Sequence, residues 1–234
     1  MTPDTRSILT QRLADVWGRI AAACQRVGRD PATVTLVAAT KSVSCDVAAL
    51  ALELGMHNLA ESRPQELWKK AAAVPTARWH LIGHLQRNKI DRTIPLVTLV
   101  HSVDSERVLE ALAAFGTKQG KPVPVLLEVN CSREAAKGGF SPEAVPAACD
   151  QAATLAGVSL RGLMTMAAYS DNPEDARPTF VELRQLRDQL RSRSGLELPE
   201  LSMGMSGDFE VAIEEGATLV RIGTTLFDAL EPSL

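Results

Sequence analysis

The chain has 234 residues, 45% of them hydrophobic, and a formal net charge of −3; it can bury a large core, and with no Gly-, Pro- or Ser-rich linker a single domain over residues 1–234 is expected. Acidic and basic residues are interspersed, which argues against a nucleic-acid surface, and no apolar run approaches the roughly 20 residues that span a bilayer. The polar start, MTPDTRS, carries no apolar signal core, so a cytoplasmic protein is expected.

An amphipathic helix opens the chain. Ile8, Leu13, Val16, Trp17, Ile20, Cys24 and Val27 recur at helical spacing before Gly28 and the Asp30-Pro31 stop. Residues 1–30 stand outside the pattern that follows, in which a short apolar run, a polar turn and a helical segment alternate. Eight runs read as strands: Thr33 to Thr40, His57 to Ala60, Trp79 to Ile82, Leu96 to His101, Val123 to Val129, Leu160 to Met166, Leu198 to Met203 and Thr218 to Ile222. The helical segments are Val47 to Leu54, Pro64 to Ala73, Glu106 to Lys118, Pro142 to Leu155, Glu174 to Arg193 and Phe209 to Glu215. Such alternation implies parallel pairing, and eight units close a (β/α)8 TIM barrel. An open doubly wound sheet is the competing arrangement, but no Gly-x-Gly-x-x-Gly turn follows the first strand.

The first strand, TVTLVAATK, ends on Lys41, and of seven lysines this one alone caps such a run. An amine held against an apolar strand end loses solvation, which lowers its pKa and frees the lone pair that attacks a carbonyl. The plainer reading is a snorkelling lysine at a sheet rim. In a barrel the carboxyl ends of the strands open on one face; here they carry Lys41, Glu61, Gly83 with His84, Ser102, Asn130, Met166, Ser206 and Arg221 with Gly223. SMGMSGD (Ser202 to Asp208) follows strand seven and RIGTT (Arg221 to Thr225) follows strand eight. Either could be only a tight turn; as neighbours they form a candidate phosphate site built on backbone N–H groups. Within TLVRIG, Val220 and Ile222 face outward, so Arg221 points into the barrel mouth. A guanidinium there needs a partner, either Glu61 or Asp208 or a ligand. A phosphate cradle, an arginine and an amine suit a ligand with a phosphate, an acceptor atom and an aldehyde, and pyridoxal phosphate has all three.

Motifs along nearly the whole chain carry a family resemblance: VAATK at Lys41, WHLIGHLQRNK from Trp79 to Lys89, EVN at Glu128 to Asn130, RGLMTM from Arg161 to Met166, LSMGMSGDFEVAIEEGAT from Leu201, and VRIGTTLF to Phe227. The chain resembles the pyridoxal phosphate homeostasis proteins, a family similar to the barrel domain of alanine racemase and to other fold-type III PLP proteins. The resemblance implies a Schiff base between PLP and Lys41, a phosphate held by Ser206, Gly223 and Thr224, and Arg221 facing the pyridine nitrogen. It also implies a role in intracellular PLP (vitamin B6) homeostasis, with apo-PLP enzymes as candidate recipients. The pattern is broken at Leu59-Ala60-Glu61-Ser62, at Lys137-Gly138-Gly139 and at Phe227-Asp228.

A single-domain amino-acid racemase is the alternative. In the racemases a tyrosine from a C-terminal domain supplies a second base, whereas this sequence stops at Leu234, seven residues past Phe227, and its only tyrosine is Tyr169. An arginine opposite the pyridine nitrogen also weakens the ring as an electron sink, so a carrier without catalytic residues is expected. A Schiff-base aldolase acting on sugar phosphates would share the lysine and the phosphate loops. No metal is expected: His80 and His84 straddle a strand and a turn without the zincin glutamate. Cys24, Cys45, Cys131 and Cys149 lack CxxC spacing and read as small apolar residues. Arg184, Arg187, Arg191 and Arg193 read as a solvated helix face.

Overall fold

The computed structural model describes residues 3–134 and 137–230. Eight strands close into one parallel barrel in sequence order: β1 (Thr35–Ala39), β2 (Asn58–Glu61), β3 (Arg78–Leu81), β4 (Val97–Val103), β5 (Val123–Glu128), β6 (Val158–Met164), β7 (Glu200–Ser202) and β8 (Leu219–Ile222). This is the expected (β/α)8 barrel. β8 closes on β1 with Val37 opposite Arg221. The first strand starts two residues later than its apolar pattern, because Pro31–Thr33 forms a 3-10 turn capped by Asp30.

The helices are α1 (Pro3–Arg26), α2 (Cys45–Glu53), α3 (Pro64–Ala73), α4 (Ile90–Thr93), α5 (Glu106–Gln119), α6 (Val145–Thr154), α7 (Arg177–Ser194), α8 (Phe209–Glu214) and α9 (Thr224–Phe227). The connection from β3 to β4 was not legible. There a 3-10 turn, the one-turn α4 and a second 3-10 turn containing Pro95 replace a regular helix, and none is long enough to show a period.

Period-2 alternation divides the strand side chains between two layers. Leu36, Ala38, Val220 and Ile222 join the large core between sheet and helices, whereas Val37, Ala60, Leu99, Leu126, Met164 and Leu219 fill the barrel. The barrel interior also holds His80, His101, Ser202 and Arg221, all buried.

In α1 the buried stripe is Leu9, Val16, Ile20, Ala23 and Cys24, while Trp17 and Val27, expected on the apolar face, are each 43% exposed. Trp17 lies one step round the helix from that stripe, and Val27 falls in the turn just past the end of α1. The helix is fastened to the last two units of the barrel. Arg19 forms a two-pronged pair with Glu210 at 2.7 and 2.9 Å, and Arg26 meets Glu214 at 2.6 Å. Arg12 donates to the carbonyls of Leu226 and Asp228, and Arg29, just past the helix, to those of Ile213 and Ala217. Among the described residues no helix is long and apolar enough to cross a membrane.

Candidate functional site

A cavity of about 520 Å³ opens at the C-terminal mouth of the barrel, and Lys41, Ser206, Arg221, Gly223 and Thr224 all line it. Met166, Ser62, Lys137, Asp208 and Tyr169 contribute to its wall. The other strand-end residues do not: Glu61 and Ser102 are buried within the protein, and His84 is exposed beside Asp104, 2.6 Å away.

Lys41 lies in the turn two residues past β1 and is exposed, so the desolvation expected of an amine against the strand end is not present. Its amine has no hydrogen-bond or ion-pair partner among the described residues. The backbone just before it is fixed instead. Lys70, an ordinary helix lysine by sequence, is only 1% exposed and donates from Nζ to the Thr40 carbonyl and to Glu61 Oε1, both at 2.6 Å. The Thr40 hydroxyl donates to the same Glu61 oxygen at 2.7 Å, while Glu61 Oε2 has no partner among the described residues. The signal for Lys70 was present in α3, since it shares the face of Leu67, Ala71 and Val74. Lys137, the other amine on the cavity, is engaged: it donates to the Ala167 carbonyl at 2.8 Å and pairs with Glu134.

The two turns expected to form a phosphate cradle meet. Ser206 Oγ accepts the backbone N–H groups of Gly223 at 3.3 Å and Thr225 at 3.2 Å, and the Thr225 hydroxyl donates to the Ser206 carbonyl. Among the described residues no protein acceptor takes the N–H of Ser206, Gly207 or Thr224. Gly204 makes the first turn at φ +90°, where a Cβ would stand 2.5 Å from that of Ala212.

Arg221 is 4% exposed. Its partners are neither of the carboxylates expected: Nη1 donates to Ser202 Oγ at 2.5 Å and Nη2 to the Thr165 carbonyl at 2.9 Å. Glu61 is committed to Lys70, and Asp208 accepts the Met205 N–H at 2.6 Å. Burial lowers the Arg221 pKa to about 10 against the pull of Asp208 and Glu128, so the guanidinium is cationic at neutral pH. Burial beside Asp104 raises Glu128 to about 6.

Behind Arg221 a line of side chains that the sequence reading missed runs across the barrel. His101 Nδ1 lies 2.8 Å from Ser202 Oγ, His101 Nε2 lies 2.9 Å from His80 Nδ1, and His80 Nε2 lies 3.2 Å from Asn58 Oδ1. Burial lowers the His80 pKa to about 4 and holds His101 well below its usual value. The donor set of the cavity, an amine, a guanidinium, hydroxyls and unengaged N–H groups, fits an anionic, phosphorylated ligand with a carbonyl.

The sequence profile of the alanine racemase N-terminal domain matches residues 15–231. The pyridoxal phosphate homeostasis protein of Aquifex aeolicus is 43% identical over 219 residues, covering 93% of this chain and 96% of its own. The chain belongs to the pyridoxal phosphate homeostasis protein family. The Pseudomonas aeruginosa member is 38% identical over 95% of this chain and 96% of its own. Among solved structures, PipY of Synechococcus elongatus with PLP bound superposes with a TM-score of 0.81 at 31% identity, over 94% of this chain and 99% of PipY. A protein of unknown function from Bifidobacterium adolescentis gives 0.91 at 36% identity, with 97% of both chains covered. Alanine racemase of Clostridium difficile, 17% identical, shares the fold with a TM-score of 0.74 over 94% of this chain and 55% of the racemase.

Proposed function

We propose that this cavity binds pyridoxal 5′-phosphate, and that residues 1–234 act as one coenzyme-binding domain in the cytoplasm, serving PLP homeostasis without substantial catalysis. The observation that carries the reading is the convergence on a single cavity of an amine without a partner among the described residues, a buried guanidinium and two donor-rich turns. The PLP-bound structure of PipY, a relative at 31% identity, supports the choice of ligand. When bound, the coenzyme supplies an aldehyde and an electron-accepting ring. In this reading Lys41 takes the aldehyde covalently, Ser206, Gly223 and Thr224 hold the phosphate, and Arg221 donates to the ring nitrogen. Lys41 is preferred to Lys137 because its amine is unengaged. Recipients are apo forms of enzymes that use the same coenzyme.

The case against catalysis rests on two groups. A cationic Arg221 opposes protonation of the ring nitrogen and so weakens stabilisation of a substrate carbanion. Tyr169, on the cavity rim, is 92% exposed and bonded to Asp171 at 3.1 Å, where it is poorly placed to supply the roughly 10²- to 10⁴-fold that a positioned acid or base contributes. Borohydride reduction of the loaded protein followed by peptide mapping tests the site. The label is expected on Lys41 and is lost in Lys41→Ala with the fold retained; a label on Lys137 or Lys89 refutes the assignment. Incubation with L-alanine in D₂O should give no exchange beyond that of free coenzyme, and turnover above about 1 s⁻¹, within the ordinary enzyme range, would make the chain a racemase.

A further inference from the structure

The line of buried groups behind Arg221 has a direction that its own chemistry dictates. A guanidinium can only donate, so Ser202 Oγ accepts from Arg221 Nη1. The Ser202 hydroxyl hydrogen then needs an acceptor, and among the described residues His101 Nδ1, 2.8 Å away, is the one in reach. His101 Nδ1 is therefore unprotonated and the proton sits on Nε2, which donates to His80 Nδ1 at 2.9 Å. By the same step His80 carries its proton on Nε2 and donates to Asn58 Oδ1 at 3.2 Å.

In this sense every link is satisfied. The reverse polarity, with both protons on Nδ1 and the Asn58 amide turned over, makes Ser202 accept twice. It strands a hydroxyl hydrogen in a residue of 0% exposure, which folded proteins rarely tolerate. The fixed donor on β8 thus sets the tautomers through β7, β4 and β3 to β2.

We propose that Ser202 and His101 are positioning residues for Arg221: two neutral imidazoles, each protonated on Nε2, turn a Ser202 lone pair toward the guanidinium and aim its remaining N–H groups at the ring nitrogen of the bound coenzyme. The observation behind this is that Arg221, 4% exposed, touches a hydroxyl and a carbonyl and, among the described residues, no carboxylate. A carboxylate partner would hold the guanidinium in a rigid two-pronged pair and compete for the donors a ligand needs. The hydroxyl fixes its orientation and leaves donors to spare. The proposal takes the identity of the ligand from the function proposed above; the direction of the line does not depend on it.

Two measurements test it. Long-range ¹H–¹⁵N correlation spectra of the labelled, ligand-free protein report the tautomers of His80 and His101. Nε2–H is expected on both, and Nδ1–H on His101 overturns the inference. The second measurement compares the affinities of wild type and Ser202→Ala for pyridoxal phosphate and for its 1-deaza analogue, which lacks the ring nitrogen. The variant should lose about tenfold for the coenzyme, as for one hydrogen bond to a charged group, and under about twofold for the analogue. Equal losses for the two ligands would leave Ser202 a purely structural residue and overturn the positioning role. Failure of the wild-type chain to bind either ligand would instead overturn the coenzyme reading, and the positioning role with it, while the tautomers still decide the direction of the line. The spectra need no variant, so the test stands even if Ser202→Ala does not fold.

Discussion

Replacing Lys70 by methionine keeps the length and apolar stem of the side chain and removes only its charge and donors. Two acceptors lose the ammonium at once, the Thr40 carbonyl and Glu61 Oε1, each 2.6 Å from Nζ; the carbonyl keeps the Val43 N–H and Oε1 the Thr40 hydroxyl, but the carboxylate loses its only counter-charge among the described residues. Glu61 is 1% exposed and its second carboxylate oxygen already has no partner among the described residues. A buried carboxylate left in that state costs about 3 to 5 kcal/mol. Unfolding entropy of about 2.1 cal/mol/K per residue makes each kcal/mol worth about 2 °C for a chain of this size, so Lys70→Met should melt about 6 to 10 °C below wild type. The double variant Lys70→Met, Glu61→Gln removes both charges, and about half or more of the loss should return, because the penalty lies in the unpaired charge. Thermal and urea unfolding of the four proteins in the cycle measure this. A loss under about 1 kcal/mol for Lys70→Met, or a double variant as unstable as the sum of the singles, would show that the pair is not coupled in the way its geometry requires.

Ser206→Ala should weaken PLP binding by about 1 to 2 kcal/mol, one hydrogen bond to a charged group, and pyridoxal without phosphate should be much less sensitive; equal losses would show that Ser206 does not touch the phosphate. Stability should fall on acidification. His80 drops from 6.5 to about 4 on folding, so its stabilising contribution is complete above 6.5 and is lost as pH falls toward 4, up to about 3 kcal/mol, and His101 acts in the same direction. Glu128, raised from 4.5 to about 6, works the other way by up to about 2 kcal/mol, its contribution being lost as pH rises through 6. Burial raises Asp208 in the same sense as Glu128, but the two imidazoles shift further, so the melting temperature should be lower at about pH 5 than at neutrality. A curve that is flat or rises toward acid would contradict the neutral assignment.

Every strand was readable because a parallel barrel strand is a short apolar run, and Arg221 could be turned inward by alternation with Val220 and Ile222. The two turns at Ser206 and Gly223 were readable because glycine and serine announce such loops locally. The partners of Arg221 were not. Ser202 is 19 positions away and His101 a further 101 from Ser202, and no local pattern couples residues at those separations. The exposure of Lys41 was not readable either: the apolar strand beside it in sequence suggested burial, but the residue lies two positions past β1 in the turn and is exposed. Lys70 carried a helical signal, but a lysine at a core position reads as solvated unless its carboxylate partner, nine residues earlier at the end of β2, is matched to it.

The attachment of α1 has a consequence for the order of folding. Its arginines meet α8 and α9 across 188 to 216 positions of chain, among the most non-local contacts the molecule makes. During synthesis the first helix emerges long before its partners exist, and its buried stripe must wait with nothing to cover it. Contacts of such separation form late, because the intervening chain must be closed before they repay its entropy. The same late units carry the turns at Ser206 and Gly223. A chain arrested before β8 would present an uncovered amphipathic helix to the cell's chaperones, with Lys41 already made and no closed barrel mouth in which to use it.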